Sequence, residues 1–165
     1  MVARITGSVE RFEVTEEAAN KALSSPVRFP FFVNMARASL GLLAVQRGDV
    51  EETTQQYAAL DSLRGTMLVY ISGDRVLGLL AQTMGDLVEA STHFEDALAF
   101  CRKAGYRPEL AWTCCDYADT LLQRNVEGDR AKAVSLLDES LAISSELAMR
   151  PLMERVLSRR EIMGS

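Results

Sequence analysis

The chain has little of what most chemistry needs. Of 165 residues one is histidine and one tryptophan, and aromatic residues make up 7%. A catalytic or metal-binding His93 would need partners at helical spacing, but its i+3 and i+4 neighbours are Asp96 and Ala97. It reads as a partly exposed helix residue paired with Asp96. The cysteines Cys101, Cys114 and Cys115 are odd in number and contain no CxxC, which suggests neither a disulfide framework nor a zinc site. Adjacent helical residues point about 100° apart, so Cys114 and Cys115 read as small packing residues and not as a redox pair. No run of about 18 apolar residues exists to span a membrane, and no secretory leader pattern opens the chain. The expected location is cytoplasmic. Basic residues are outnumbered 18 to 23, for a net charge of -5, whereas nucleic-acid binding needs a clustered basic face. The cluster Arg155, Arg159, Arg160 is the local exception and reads as a solvated face near a helix C-terminus. GxSxG, HExxH and the phosphate loop GxxxxGK[ST] are all missing. The pairs Glu51-Glu52 and Asp138-Glu139 fall on outer helix faces, where nothing shifts their pKa toward acid-base work. No catalytic residue, metal or cofactor is expected, and the chain does not read as an enzyme.

What is present is apolar residue at 48%, rich in Ala and Leu, in a length that suits one domain. Self-similarity organises it. The stretch Leu40-Gly41-Leu42-Leu43-Ala44-Val45-Gln46-Arg47-Gly48-Asp49 returns as Leu77-Gly78-Leu79-Leu80-Ala81-Gln82-Thr83-Met84-Gly85-Asp86, an offset of 37 residues. A third copy runs from Tyr117 through Leu121, Leu122 and Asn125 to Gly128-Asp129, with a longer turn. Each copy reads as the end of one helix and the start of the next. Glycine supplies a left-handed cap, and Asp accepts from the free N–H groups of the following helix. Glu52 and Glu89, three residues after Asp49 and Asp86, complete the pattern of a capping box. The tripeptide Arg47-Gly48-Asp49 is therefore turn chemistry and not an adhesion signal. Between units, Gly105-Tyr106-Arg107-Pro108 places a terminating Gly before a first-turn Pro, and Ala148-Met149-Arg150-Pro151 repeats it 43 residues later with Ala in place of Gly.

These residues resemble the tetratricopeptide repeat. Leu77, Gly78, Ala90, Phe94 and Ala97 fit that pattern in the middle unit. Leu40, Gly41 and Tyr57 fit in the first, with Thr53 and Leu60 replacing two alanines, and Ala118 and Ala133 fit in the third, where Leu137 and Ser140 depart. The fold expected is all-α, about eight helices in stacked antiparallel pairs forming a right-handed solenoid. Its parts are a flanking helix over 8–24, three units over 33–149 and a capping helix over 150–163. A narrower resemblance lies in Tyr106-Arg107-Pro108-Glu109-Leu110-Ala111-Trp112-Thr113, Leu136-Leu137-Asp138-Glu139 and Leu147 through Arg155, which are similar to the helical C-terminal ends of large bacterial signalling regulators carrying a nucleotide-binding switch or nucleotidyl-cyclase domain. That resemblance implies a sensor or scaffold portion without the catalytic part. The lone helix before the first unit reads as the second half of an earlier repeat.

In tetratricopeptide arrays the first helices line the concave face. Registration on Gly41, Gly78 and Ala118 points Met35, Ala38, Leu42, Arg75, Leu79, Gln82, Trp112, Cys115 and Asp119 inward. The candidate ligand-binding residues are Arg75, Leu79, Gln82, Trp112 and Asp119, a mostly apolar surface with polar handles. The same residues could equally pack against the N-terminal helix, a second copy or another domain. The expected role is a non-catalytic protein-interaction or ligand-sensing scaffold, the alternative a stand-alone self-associating adaptor. A protein or peptide, or another domain of one regulator, is the expected partner; homodimer formation stays open, and neither nucleic acid nor membrane is expected.

Overall fold

The computed structural model describes residues 9–27 and 29–164, with side chains from Phe12 onward. Among the described residues there are eight α-helices: α1 Val9–Ser24, α2 Pro30–Arg47, α3 Val50–Ala59, α4 Gly73–Thr83, α5 Leu87–Ala104, α6 Arg107–Arg124, α7 Asp129–Glu146 and α8 Arg150–Gly164. They pack in chain order as antiparallel pairs, α2 with α3, α4 with α5, α6 with α7. First helices also meet each other, α2 with α4 and α4 with α6. None of them is long and apolar enough to cross a membrane.

The repeated Gly-Asp does what its chemistry requires in two of three places. Gly48 ends α2 at φ 67°, the left-handed region where a side chain would be strained, and the Asp49 carboxylate accepts from Glu52 N–H at 3.0 Å. Asp86 repeats this with Glu89 N–H at 3.0 Å. The glutamates do not reach back to complete a capping box: Glu52 accepts from Gln56, and Glu89 from Tyr57 and Arg64. In the third copy Asn125 takes the left-handed cap at φ 52°, and Asp129 is the first residue of α7. Its carboxylate is held by Arg124 at 2.6 and 2.9 Å and by Val126 N–H at 3.1 Å. The longer turn shifts Asp129 from cap to clamp.

The small residue of each first helix marks a close approach. A Cβ on Gly78 would come within 3.0 Å of the Phe94 ring. Phe94 in turn stacks on Tyr117 at 5.5 Å between centroids, joining the second pair to the third. One contiguous apolar core runs from Ala38 to Val156, whereas α1 is held by a separate small cluster of Ala19, Ala36 and Leu40 with Ala22 and Leu23 beside it.

One segment has no counterpart in the expected solenoid. α3 and α4 have 10 and 11 residues where α2, α5, α6 and α7 each have 18. The chain between them makes a 3-10 turn over Asp61–Leu63 and a hairpin, β1 Met67–Leu68 against β2 Ile71–Ser72, antiparallel with Leu68 opposite Ile71. Leu63, Leu68 and Ile71 are buried and pin it to the core. Its tip closes with Tyr70 N–H on Leu68 C=O at 2.6 Å around Val69 at φ 57°, a conformation costly for a β-branched residue.

Candidate interaction site

The inward residues of the second and third units converge on an ion network. Arg75, on α4, is only 1% exposed. Its Nη1 donates to Glu109 Oε2 at 2.7 Å and its Nε to Asp116 Oδ2 at 2.8 Å, both on α6. Glu109 also accepts from Ser72 N–H at 2.8 Å, so the hairpin is tied to the same group. Burial opposes every charge here. It pulls the Arg75 guanidinium down, and the carboxylates of Glu109 and Asp116 reverse this, so the arginine stays charged. Burial pushes the Glu109 carboxyl up against the pull of Arg75 and the Ser72 N–H. The network then passes to α8: Arg155 donates to Asp116 at 3.0 Å and Asp119 at 3.1 Å, and Arg159 to Asp119 at 2.8 Å. Two guanidinium groups lie over the Trp112 ring, Arg75 at 5.5 Å and Arg155 at 6.0 Å from its centroid. Arg155 and Arg159 are thus ion-paired and not a solvated face, and Arg160 pairs with Asp138 at 2.8 Å.

Of the expected ligand residues, the structure brings Arg75, Trp112 and Asp119 together as parts of this fastening. Leu79 is buried in the core beside them in sequence, and Gln82 is half-buried, its amide donating to Gln123 at 3.2 Å. Sequence spacing carried no sign of Glu109, Asp116, Arg155 or Arg159 as their partners, because each comes from a different turn or helix.

His93 also differs from expectation. It is fully buried, and Asp96 is not its partner. Its Nε2 shares a hydrogen bond with the Tyr57 hydroxyl at 2.9 Å and lies 3.4 Å from Glu89, while Nδ1 has no hydrogen-bond partner and stands 3.7 Å from Asp74 Oδ1. Asp74 instead accepts from Gly65 N–H at 2.7 Å, fastening the loop that precedes the hairpin. The three thiols are buried as expected of packing residues. Burial pushes Cys101 up to about 11 and Cys115 to about 12, and Cys114 higher still, so none offers a thiolate near neutral pH. Among the described residues no group of three His, Cys, Asp or Glu is placed to hold a metal ion.

The open apolar surface lies at the other end. Between α1 and α2 runs a groove of about 510 Å³, with Val14, Ala18 and Ala22 on one wall and Phe32, Met35 and Ser39 on the other. Phe32 lines it, and Phe29 and Phe31 each meet Phe32 edge-to-face with centroids 6.2 and 5.5 Å away; the three are 59%, 49% and 59% exposed in the order Phe29, Phe31, Phe32. Met35 and Ser39 also line a small recess under the hairpin with Leu68, Tyr70 and Ile71. The strained tip, with Val69 and Tyr70 exposed, therefore adjoins the groove. Exposed apolar surface clustered in this way marks an interaction site more often than it serves stability. The signal in the sequence was Phe29-Pro30-Phe31-Phe32, three aromatics packed around a helix start.

No curated protein and no solved structure matches the chain. The tetratricopeptide repeat family model matches residues 70–146, from the hairpin tip to the end of α7. The chain thus contains a tetratricopeptide-like helical-repeat region, with the first pair and α1 outside the matched residues.

Proposed function

We propose that the chain is a protein-interaction scaffold of a bacterial signalling or transcription regulator, acting in the cytoplasm, and that its partner docks on the apolar groove between α1 and α2. The observation that carries the docking site is the exposed Phe29, Phe31, Phe32 cluster over a groove walled by Val14, Ala18 and Met35. Leaving such surface in water forfeits about 25 cal/mol for each Å² that a partner could cover. The strained Val69 tip beside it supports the reading, since strained backbone concentrates where surfaces function. The regulator setting rests on the resemblance of the 106–155 run to the helical ends of such proteins. Arg75, Leu79, Gln82, Trp112 and Asp119 serve this scaffold by closing the array, with the partly exposed Gln82, Trp112 and Asp119 left as a secondary surface.

The test uses the full chain immobilised against a lysate of its source, compared with Phe32→Asp. A protein retained by the native chain and lost by the variant is then purified and titrated directly against both. Direct binding that the substitution abolishes supports the reading. Identical retained sets for both chains refute the groove as the docking site.

A further inference from the structure

A buried line of polar groups between the first and second pairs is one proton short, whatever docks on the groove. His93, on α5, is fully buried, and through its ring Asp74 of α4 is connected to Tyr57 of α3 and to Glu89 of α5. Nδ1 lies 3.7 Å from Asp74 Oδ1, Nε2 lies 2.9 Å from the Tyr57 oxygen, and that oxygen lies 3.2 Å from Glu89 Oε1. Three links thus run between two carboxylates. A neutral imidazole brings one N–H and the phenol one O–H, so two protons serve three links. Burial and the Glu89 charge push the Tyr57 phenol up, which keeps its proton in place.

Neither neutral form of the ring completes the line. If Tyr57 donates to Glu89, Nε2–H donates to Tyr57 and Nδ1 turns a bare lone pair on Asp74. If Tyr57 donates to Nε2 instead, the ring proton sits on Nδ1 and Glu89 loses the phenol. An imidazolium fills all three links at once, and its bond to Asp74 is then charge-assisted. The cation in this cluster, Arg64 from the loop after α3, donates to Glu89 at 3.1 Å, to the Tyr57 oxygen at 3.5 Å and to Asp61 at 2.8 Å. From α6, which also packs on α5, Glu109 and Asp116 turn to Arg75 and Tyr117 to Glu95. Asp74 is where the missing proton matters. It is 2% exposed, and its Oδ2 accepts from Gly65 N–H at 2.7 Å, while Gly73 N–H donates to Thr66 C=O at 3.0 Å. A Cβ on Gly73 would stand 2.0 Å from the Leu63 carbonyl oxygen, so the base of the hairpin sits directly on the first turn of α4.

We propose that His93 is a proton-operated latch on the hairpin. With the ring protonated, Nδ1–H closes on Asp74 and fixes the carboxylate that holds Gly65; with the ring neutral, that bond is missing or uncharged and the hairpin base loosens. The sign follows from which form the folded chain favours. A charged ring satisfied only in the fold gives a contribution that is present on the acid side and is lost as pH rises. Histidine side chains change charge between about pH 5 and pH 8, so the latch works in that window. What it controls is the hairpin and its exposed tip, Val69 and Tyr70.

The chain has a single histidine, so its imidazole gives one set of NMR signals that can be followed without assignment. The experiment titrates those signals in the full chain from about pH 8 to about pH 5.5 and measures solvent exchange of the Gly65 amide over the same range, corrected for the intrinsic rate. The expected result is an imidazole that takes up its proton while the chain stays folded, with Gly65 protection rising at least about threefold toward the acid side. Asp74→Asn keeps an acceptor for Gly65 and supplies an N–H to Nδ1 without any added proton, so its Gly65 protection should be the same at both ends of the range. His93→Gln should be equally flat; where it does not fold, the native chain and Asp74→Asn decide. An imidazole that stays neutral throughout overturns the proposal. So does Gly65 protection that is flat in the native chain, or that rises as steeply in Asp74→Asn.

Discussion

The two ends of the array handle an identical problem in opposite ways. Each terminal helix pair must cover a face that internal pairs bury against a neighbour. At the C-terminal end α8 does so with Leu152 and Val156 in the main core and with Arg155 and Arg159 clamped on Asp116 and Asp119. What it turns outward is largely charged. At the N-terminal end α1 sits on a separate cluster built mostly of alanine, and it leaves Val14, Phe29, Phe31 and Phe32 in solvent. Among the described residues one edge is covered by a charged helix, and the other exposes apolar side chains. On the proposed reading stability and interaction belong to different ends, so mutations should separate them.

The largest effect on folding is expected at the C-terminal network. Arg75→Met keeps the volume but leaves Glu109 and Asp116 buried with half their counter-charge removed. Breaking a buried pair from one side costs about 3–5 kcal/mol, to be read as a shift in the urea midpoint. Replacing Arg75, Glu109 and Asp116 together by apolar residues of similar volume should recover most of it, because the desolvation penalty goes with the charges. Asp119→Ala frees Arg155 and Arg159 where all three groups retain some water. The loss there is about 1–2 kcal/mol, and it shrinks in high salt. Neither substitution should alter what the groove binds.

The helices, their order and two of the three caps were legible because they follow from local rules: apolar spacing, Gly after a helix, Asp before one. The hairpin was hidden behind the repeat register, although Thr66-Met67-Leu68-Val69-Tyr70-Ile71-Ser72 between two glycines is a run of strand-forming residues. A 37-residue offset taken as two full helices left no room for it. Inward positions were read from the repeat register, but what they face is a tertiary fact. Arg75 looked like a handle for a ligand because its partners lie 34 and 41 residues away, at a separation no local pattern encodes. His93 failed for a similar reason, since its neighbour Tyr57 comes from the preceding pair.

Smaller effects test the two caps that depart from the repeat. Ala148 follows α7 at φ 53°, where the preceding connection has Gly105 at φ 74°. A left-handed alanine costs about 1 kcal/mol relative to glycine at such a site, so Ala148→Gly should stabilise the α8 end by about that amount despite the added freedom of the unfolded chain. A rise in thermal midpoint of a few degrees checks it. Asp129 supplies a pH test. The Arg124 hydrogen bonds hold its carboxyl below the ordinary 3.8, a depressed folded value. Its stabilisation is therefore complete above the unfolded value and is lost as pH falls through the folded one. Native stability should decline below about pH 4 more steeply than that of Asp129→Asn, and parallel slopes in urea titrations at pH 5 and pH 3 would remove Asp129 from the acid response.

The smallest effect on folding belongs to the residue on which the interaction reading depends most. Phe32 is more than half exposed and lies outside both core clusters, so Phe32→Asp should change the unfolding free energy by no more than about 0.5 kcal/mol, the range for surface positions. A stability role for the aromatic cluster predicts otherwise. If Phe29, Phe31 and Phe32 held α1 in place, a charge at Phe32 would loosen α1, and amide exchange in α1 would rise relative to α3. Unchanged exchange together with lost binding assigns the cluster to a partner. Faster exchange in α1 assigns it to the fold and makes the two ends alike in purpose.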